Sequence, residues 1–170
     1  VTLHRPSNVD GCESLAAILQ QLERIGNRLP VVFPMHPRTR KMLGEFGFAM
    51  TSNGAFRVIE PVGYHDSLCL TENARLVLTD SGGLQEESTY FHTPCLTLRA
   101  NTERPITISE GSNRLTNLGR LADDLEAVLA REPRYGRVPF LWDGRTADRV
   151  LSLLSSADEG VLPVTVKADN

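Results

Sequence analysis

Short apolar runs alternate with longer stretches whose apolar positions recur every three or four residues, and the alternation spans most of the 170-residue chain. Leu15, Ile18, Leu19, Leu22 and Ile25 fall on one stripe and predict a helix over residues 15–26. Residues 30–33 read as a buried strand that stops at Pro34, and residues 39–46 as a helix ended by Gly47. The same reading places strands at 57–60, 76–79 and 95–98, and helices at 64–73, 84–91, 123–131 and 145–154. Residues 1–3 read as one more strand, and residues 111–118 hold another.

The strands are apolar without clean alternation and are interleaved with helices. That is the signature of a parallel sheet covered on both faces, so an α/β, Rossmann-like fold is expected. One domain over residues 1–154 accounts for the pattern, with 155–170 as a weakly periodic tail, mobile or crossing to a partner domain. Ligands of such sheets bind beyond the carboxyl ends of the strands. His4, His36, the 61–63 turn, residues 80–83 and Arg99 all fall there.

The most informative stretch runs from Ala74 to Ser88, Ala-Arg-Leu-Val-Leu-Thr-Asp-Ser-Gly-Gly-Leu-Gln-Glu-Glu-Ser. It reads as a strand, a turn of small residues at Ser81, Gly82 and Gly83, and a helix from Leu84. Unpaired backbone N–H groups and the positive end of a helix dipole then meet at one point, which suits a phosphate or diphosphate. Glu87 lies one helical turn below Gly83 and could accept hydrogen bonds from sugar hydroxyls, whereas Glu86 points about 100° away, toward solvent. His4, past the first strand and beside Arg5, is placed to donate a proton to a departing phosphate. His36 and Arg38, after the second strand, are within reach of an anion or form a solvated loop. In Thr102-Glu103-Arg104-Pro105, Thr102 reads as a helix cap, Glu103 as a dipole acid and Pro105 as a first-turn residue. Arg104 is left to pair with a phosphate or to lock the loop on a carboxylate.

Composition narrows the classes. A net charge of −3 and a pI near 5.8 exclude a non-specific nucleic-acid binder, so an anionic ligand must be held by local donors. Cys12, Cys69 and Cys95 are widely spaced and odd in number, which fits neither a disulfide framework nor a zinc knuckle and suits a reducing cytoplasm. No apolar run approaches the ~20 residues that cross a bilayer. The opening Val-Thr-Leu-His-Arg reads as the inside of a strand, as in a piece of a longer polypeptide.

Residues 1–10 (Val-Thr-Leu-His-Arg-Pro-Ser-Asn-Val-Asp), Pro34-Met-His-Pro37, Leu78 to Glu87 and Thr102-Glu-Arg-Pro105, in this order, resemble the C-terminal half of UDP-N-acetylglucosamine 2-epimerases. Asp143-Gly144 with Ala147 and Arg149 resembles that family's late glycine-aspartate-glycine segment. The resemblance implies one half of a two-domain fold of the glycosyltransferase-B type, with UDP as ligand and neither metal nor cofactor. It places the diphosphate on Ser81, Gly82 and Gly83, the ribose on Glu87, and the uracil near residues 61–64 and Ser67. Arg5, His36 and Arg104 complete the expected UDP site, and His4 matches the histidine that assists departure of UDP. The implied reaction eliminates UDP and re-adds it after inversion at C2, converting UDP-GlcNAc to UDP-ManNAc for cell-envelope polysaccharide, in a homodimeric parent. The acids handling the C2 proton belong to the first domain, so these residues alone are expected to bind UDP weakly and not to epimerise. Many bacterial members read His-Arg-Arg-Glu-Asn where this chain has His-Arg-Pro-Ser-Asn, at residues tied to substrate activation, and phenylalanine where it has Ser67. The alternatives are a hydrolysing 2-epimerase with the same motifs, a UDP-sugar glycosyltransferase of the same architecture, and a non-catalytic module that keeps the UDP pocket.

Overall fold

A computed structural model describes residues 1–48 and 55–158 of the chain. The described residues fall into two compact units, one up to Val138 and one from Pro139 onward. The first carries helices α1 (Pro6–Val9), α2 (Cys12–Gly26), α3 (Pro37–Glu45), α4 (Tyr64–Asn73), α5 (Gly82–Tyr90), α6 (Ile106–Ser109) and α7 (Leu121–Leu129). Its strands are β1 (Val31–Pro34), β2 (Phe56–Ile59), β3 (Val77–Thr79), β4 (Cys95–Leu98) and β5 (Asn113–Thr116).

All strand pairs are parallel: β1 with β2, β3 with β4, and β4 with β5. Residues 1–3 run between the two groups. The Val1 nitrogen donates to the Val32 carbonyl at 2.8 Å, the Thr2 N–H to Leu78 at 2.9 Å, and the Asp80 N–H back to Thr2 at 3.2 Å. The resulting spatial order, β2-β1-(1–3)-β3-β4-β5, brings the carboxyl end of the 1–3 segment beside that of β3. His4 and Asp80 become neighbours for that reason. The α/β expectation holds.

The core lies between this sheet and its helices. The predicted stripe of α2 buries Leu15, Ile18 and Leu22, and α7 buries Leu121, Leu125 and Val128. Every residue of β3 and β4 is buried, as two-sided coverage requires. Each large side chain so removed from water contributes roughly 1.5–3 kcal/mol. Among the described residues no helix is long and apolar enough to cross a membrane.

Helix starts depart from the sequence reading. α2 begins at Cys12, three residues early, because its first turn is polar and leaves no apolar trace. α3 begins at Pro37, whose fixed φ suits a first helical position. Gly47 does end that region, at φ +70°, where a side chain would be strained. The helix α1 was not foreseen, having Val9 as its one buried anchor. In the second unit, helix α8 (Thr146–Asp158) continues through residues 155–158, which the sequence reading assigned to the tail. Residues 159–170 of that tail lie outside the described residues. Asp143 accepts the Arg145 N–H at 3.0 Å and the Arg149 guanidinium at 2.9 Å, so the Asp143-Gly144 segment works as a helix start.

Candidate functional site

Asp80 is the hub of the site. It follows β3, is 0% exposed, and its carboxylate receives the backbone N–H of His4 (3.0 Å), that of Arg5 (2.9 Å) and the Asn8 side-chain amide (2.9 Å). The ring Nδ1 of His4 lies 2.9 Å from Asp80 Oδ1, close enough for charge pairing but not aligned as a hydrogen bond. A buried carboxylate thus pins the end of the first strand and aims the imidazole. The His36 ring stands 5.0 Å from that of His4. His36 caps α3: its Nδ1 accepts the Arg38 N–H at 3.1 Å. Its pKa is lowered, first by partial desolvation and then by the charge of His4. Arg38 pairs with Asp10 at 2.8 Å, so of the two side chains expected to reach an anion, His36 alone faces His4.

The Ser81 turn differs from expectation in one respect. Helix α5 begins at Gly82, not Leu84, with Ser81 as an extended N-cap. The Ser81 N–H is already bonded to Thr79 Oγ1 at 3.0 Å, so it is not a free donor. The N–H groups of Gly82 and Gly83 have no partner among the described residues, as first-turn amides should. A Cβ on Gly83 would sit 4.0 Å from Glu87 Oε1, which places that carboxylate one turn below on the same side, as predicted. Burial, then the charge of Glu86, raises the Glu87 pKa.

Glu103, read from sequence as a dipole acid, closes over Gly82 instead. Its Oε1 lies 2.5 Å from where a Gly82 Cβ would be. Arg99 holds it at 2.7 Å and Arg5 at 3.3 Å, and the Arg99 bond foremost drives its pKa down to about 2. Arg5 also donates through Nε to the Asp80 carbonyl at 2.9 Å. Arg104 takes the loop-locking role, its Nε 3.1 Å from Glu86, and so Glu86 is paired and not simply solvated. Thr102 caps the backbone of its own loop, accepting the Arg104 N–H at 2.9 Å, while the short helix α6 starts only at Ile106.

The structure therefore gathers His4, Arg5, His36, Gly82, Gly83 and Glu87 around Asp80 and the start of α5. Ser67 stands apart: among the described residues it makes no hydrogen bond or ion pair with this cluster, and it lines an apolar cavity of about 520 Å³ with Val1, Leu70 and Leu78. A second cavity of about 580 Å³, of mixed lining, opens beside Arg5, Asn8, Leu98, Arg99, Asn117 and Leu118. Asn8 and Glu103 were missed as site residues, and Asp80 was noted past a strand end without a role. Arg99 was noted at a strand end without a role; one of its guanidinium nitrogens, Nη1, is buried without a partner among the described residues. The available signal for Asp80 was an acid immediately after an all-apolar strand, where a charge must find donors. Neutral backbone donors at a helix start, a carboxylate one turn below and an imidazole opposite can together hold a diphosphate, grip hydroxyls and hand over a proton.

Comparison with known proteins identifies the family. The profile of the UDP-N-acetylglucosamine 2-epimerase family matches residues 1–155. The chain belongs to that family. It is 46% identical over 160 residues to the UDP-N-acetylglucosamine 2-epimerase of Methanococcus maripaludis, covering 91% of this chain and 43% of that protein. It is similar to the crystal structure of the Methanocaldococcus jannaschii UDP-GlcNAc 2-epimerase in complex with UDP-GlcNAc and UDP, with a TM-score of 0.80 and 40% identity over 91% of this chain and 44% of that one. A Pseudomonas aeruginosa relative, UDP-2,3-diacetamido-2,3-dideoxy-D-glucuronate 2-epimerase, is 41% identical over 120 residues, 70% of this chain and 33% of the relative. The chain thus spans less than half the length of these epimerases.

Proposed function

We propose that this chain is the UDP-binding half of a UDP-GlcNAc 2-epimerase, acting with a second domain that supplies the acids for the C2 proton. The observation that carries the reading is the helix start at Gly82 and Gly83, two amides without a partner among the described residues, with Glu87 one turn below and the His4 ring 2.9 Å from Asp80. The diphosphate lies on those two amides, the ribose hydroxyls on Glu87, and His4 protonates the departing β-phosphate oxygen. Asp80 stabilises the imidazolium before it gives up that proton, and again once re-addition has returned it, while His4 is neutral in between. Arg5 and Arg99 offset the carboxylate of Glu103, which would otherwise repel the ligand from Gly82. Ser67 and the 61–64 turn receive the uracil.

Titration calorimetry with UDP tests the reading on wild type, Glu87→Ala and His4→Ala. Binding by the wild type, lost on Glu87→Ala and kept on His4→Ala, is the expected pattern. Silence of the wild type toward UDP removes the preformed pocket. The Pseudomonas relative, whose name specifies an acidic diacetamido sugar, favours a second reading in which this half serves a different UDP-sugar. Product analysis of the two-domain protein on both sugars, scoring nucleotide sugar against free sugar, separates these possibilities and the hydrolysing chemistry.

A further inference from the structure

Gln85 is an uncharged polar side chain with 0% exposure, in the first turn of α5, and the chemistry described above leaves it unused. Its Nε2 donates to the Ser81 carbonyl at 3.2 Å. Its Oε1 accepts from the Thr102 hydroxyl at 2.6 Å and from Asn113 Nδ2 at 3.0 Å. Asn113 is fixed in turn: its Oδ1 accepts the Thr97 hydroxyl at 2.6 Å, and its Nδ2 also donates to Thr107 Oγ1 at 3.0 Å. Thr107 Oγ1 donates to the Arg104 carbonyl at 2.7 Å, closing the circuit on the same loop. Turning the Gln85 amide over would set oxygen against the Ser81 carbonyl and N–H against the Asn113 N–H, so only one orientation satisfies the network.

One amide therefore ties the Ser81–Gly83 turn to the 99–104 loop, which carries Glu103 over Gly82 and Arg104 onto Glu86. We infer that Gln85 is a positioning residue of the diphosphate site, setting the gap between the free Gly82 and Gly83 amides and the loop that covers them. The inference rests on the UDP reading above. A buried network acts as a unit, because each member left unpaired faces a desolvation penalty that displacement of the loop relieves.

The test compares UDP with uridine, which has the base and ribose but no diphosphate, by NMR titration of wild type, Gln85→Leu, Thr102→Val and Thr102→Ser. Thr102→Val removes the hydroxyl from a half-buried site at almost constant shape, and Thr102→Ser keeps it, so the Thr102 pair carries the test even if Gln85→Leu fails to fold. The expected result is a fall in UDP affinity of about tenfold or more for Gln85→Leu and Thr102→Val, with uridine affinity within about twofold of wild type and Thr102→Ser unchanged. The double variant is expected to lose less than the two single losses combined, since the Thr102–Gln85 hydrogen bond is common to both. A parallel fall for UDP and uridine, an unchanged UDP affinity, or a Thr102→Ser protein as weak as Thr102→Val overturns the inference. A wild type that binds no UDP overturns the UDP reading itself, which is a different outcome from an unchanged ratio.

Discussion

Asp80 offers the sharpest test of how the site is held. Replacing it by alanine strands the backbone N–H groups of His4 and Arg5, whose acceptors in this structure are the two carboxylate oxygens. Asn8 is less affected, because its amide also donates to the Leu98 carbonyl at 3.1 Å. An unpaired buried donor costs about 1–3 kcal/mol, so two predict a loss of about 2–6 kcal/mol. Against a typical total of about 5–15 kcal/mol, such a loss is severe. Asp80→Asn behaves differently. With its oxygen in the Oδ2 position it still accepts from His4, Arg5 and Asn8 at 3.0, 2.9 and 2.9 Å, and gives up only the longer 3.1 Å contact of the His4 N–H with Oδ1. The expected loss is below about 1 kcal/mol, while the negative charge that would stabilise a protonated His4 disappears. Chemical denaturation of both variants, read at constant m-value, measures the difference. An Asp80→Ala protein within about 1 kcal/mol of wild type, or an Asp80→Asn protein as unstable as Asp80→Ala, refutes the geometry.

Three further outcomes are expected. The folded-state pKa of Glu103 is depressed from 4.5 to about 2, so its contribution is fully present above about 4.5 and is lost as pH falls toward about 2; an acid titration of stability should flatten in that window for Glu103→Gln, by a small amount because the side chain is 43% exposed. Gly82→Ala places a methyl group against Glu103 and over the free amide, so UDP affinity should fall by about tenfold while the melting point moves little; unchanged affinity would remove Gly82 from the site. His36→Ala deletes the α3 cap at a cost of about 1 kcal/mol, and because the folded-state pKa of His36 is lowered, the cap's contribution holds at neutral pH and fades as acid protonates Nδ1; stability curves of the two proteins that stay parallel through that range would disprove the cap.

What could be read from sequence was local, and what could not was carried by distant partners. The central strands betray themselves as apolar runs, and Tyr64–Asn73 and Cys95–Leu98 fall where periodicity puts them. Helix starts slip because a first turn of proline, glycine or polar residues contributes nothing to an apolar stripe. Gly82, Gly83 and Glu87 were legible since turn, dipole and carboxylate lie within six residues of one another. Their setting was not: His4 meets Asp80 across 76 positions, and Arg5 meets Glu103 across 98. Glu103 looked like a dipole acid because its sequence neighbours are a capping threonine and a proline, and only the fold brings two arginines to it. Gln85 likewise carries no mark in the sequence, since a glutamine next to two glutamates reads as a solvated helix face.

The arrangement of charge also fits the anion site proposed for this acidic chain. Arg5, Arg99 and Arg104 all stand near the start of α5, yet each is already matched to a carboxylate, Glu103 for the first two and Glu86 for the third. The charged walls thus largely cancel. What remains uncancelled is the pair of neutral amides at Gly82 and Gly83 and the dipole behind them, which need no counter-ion when the site is empty. Backbone donors are also fixed in direction, whereas a free arginine would have to give up side-chain entropy to meet its ligand. Glycine at the first of these positions follows from the same logic: a Cβ on Gly82 would come within 2.5 Å of Glu103 Oε1, whereas one on Gly83 would meet nothing nearer than 4.0 Å. The covering loop, clamped through Gln85 and Thr102, then sets the distance between these donors and the paired arginines. A site of this kind recognises its ligand by the spacing of neutral donors, so changes in loop height should weaken it more than changes in net charge.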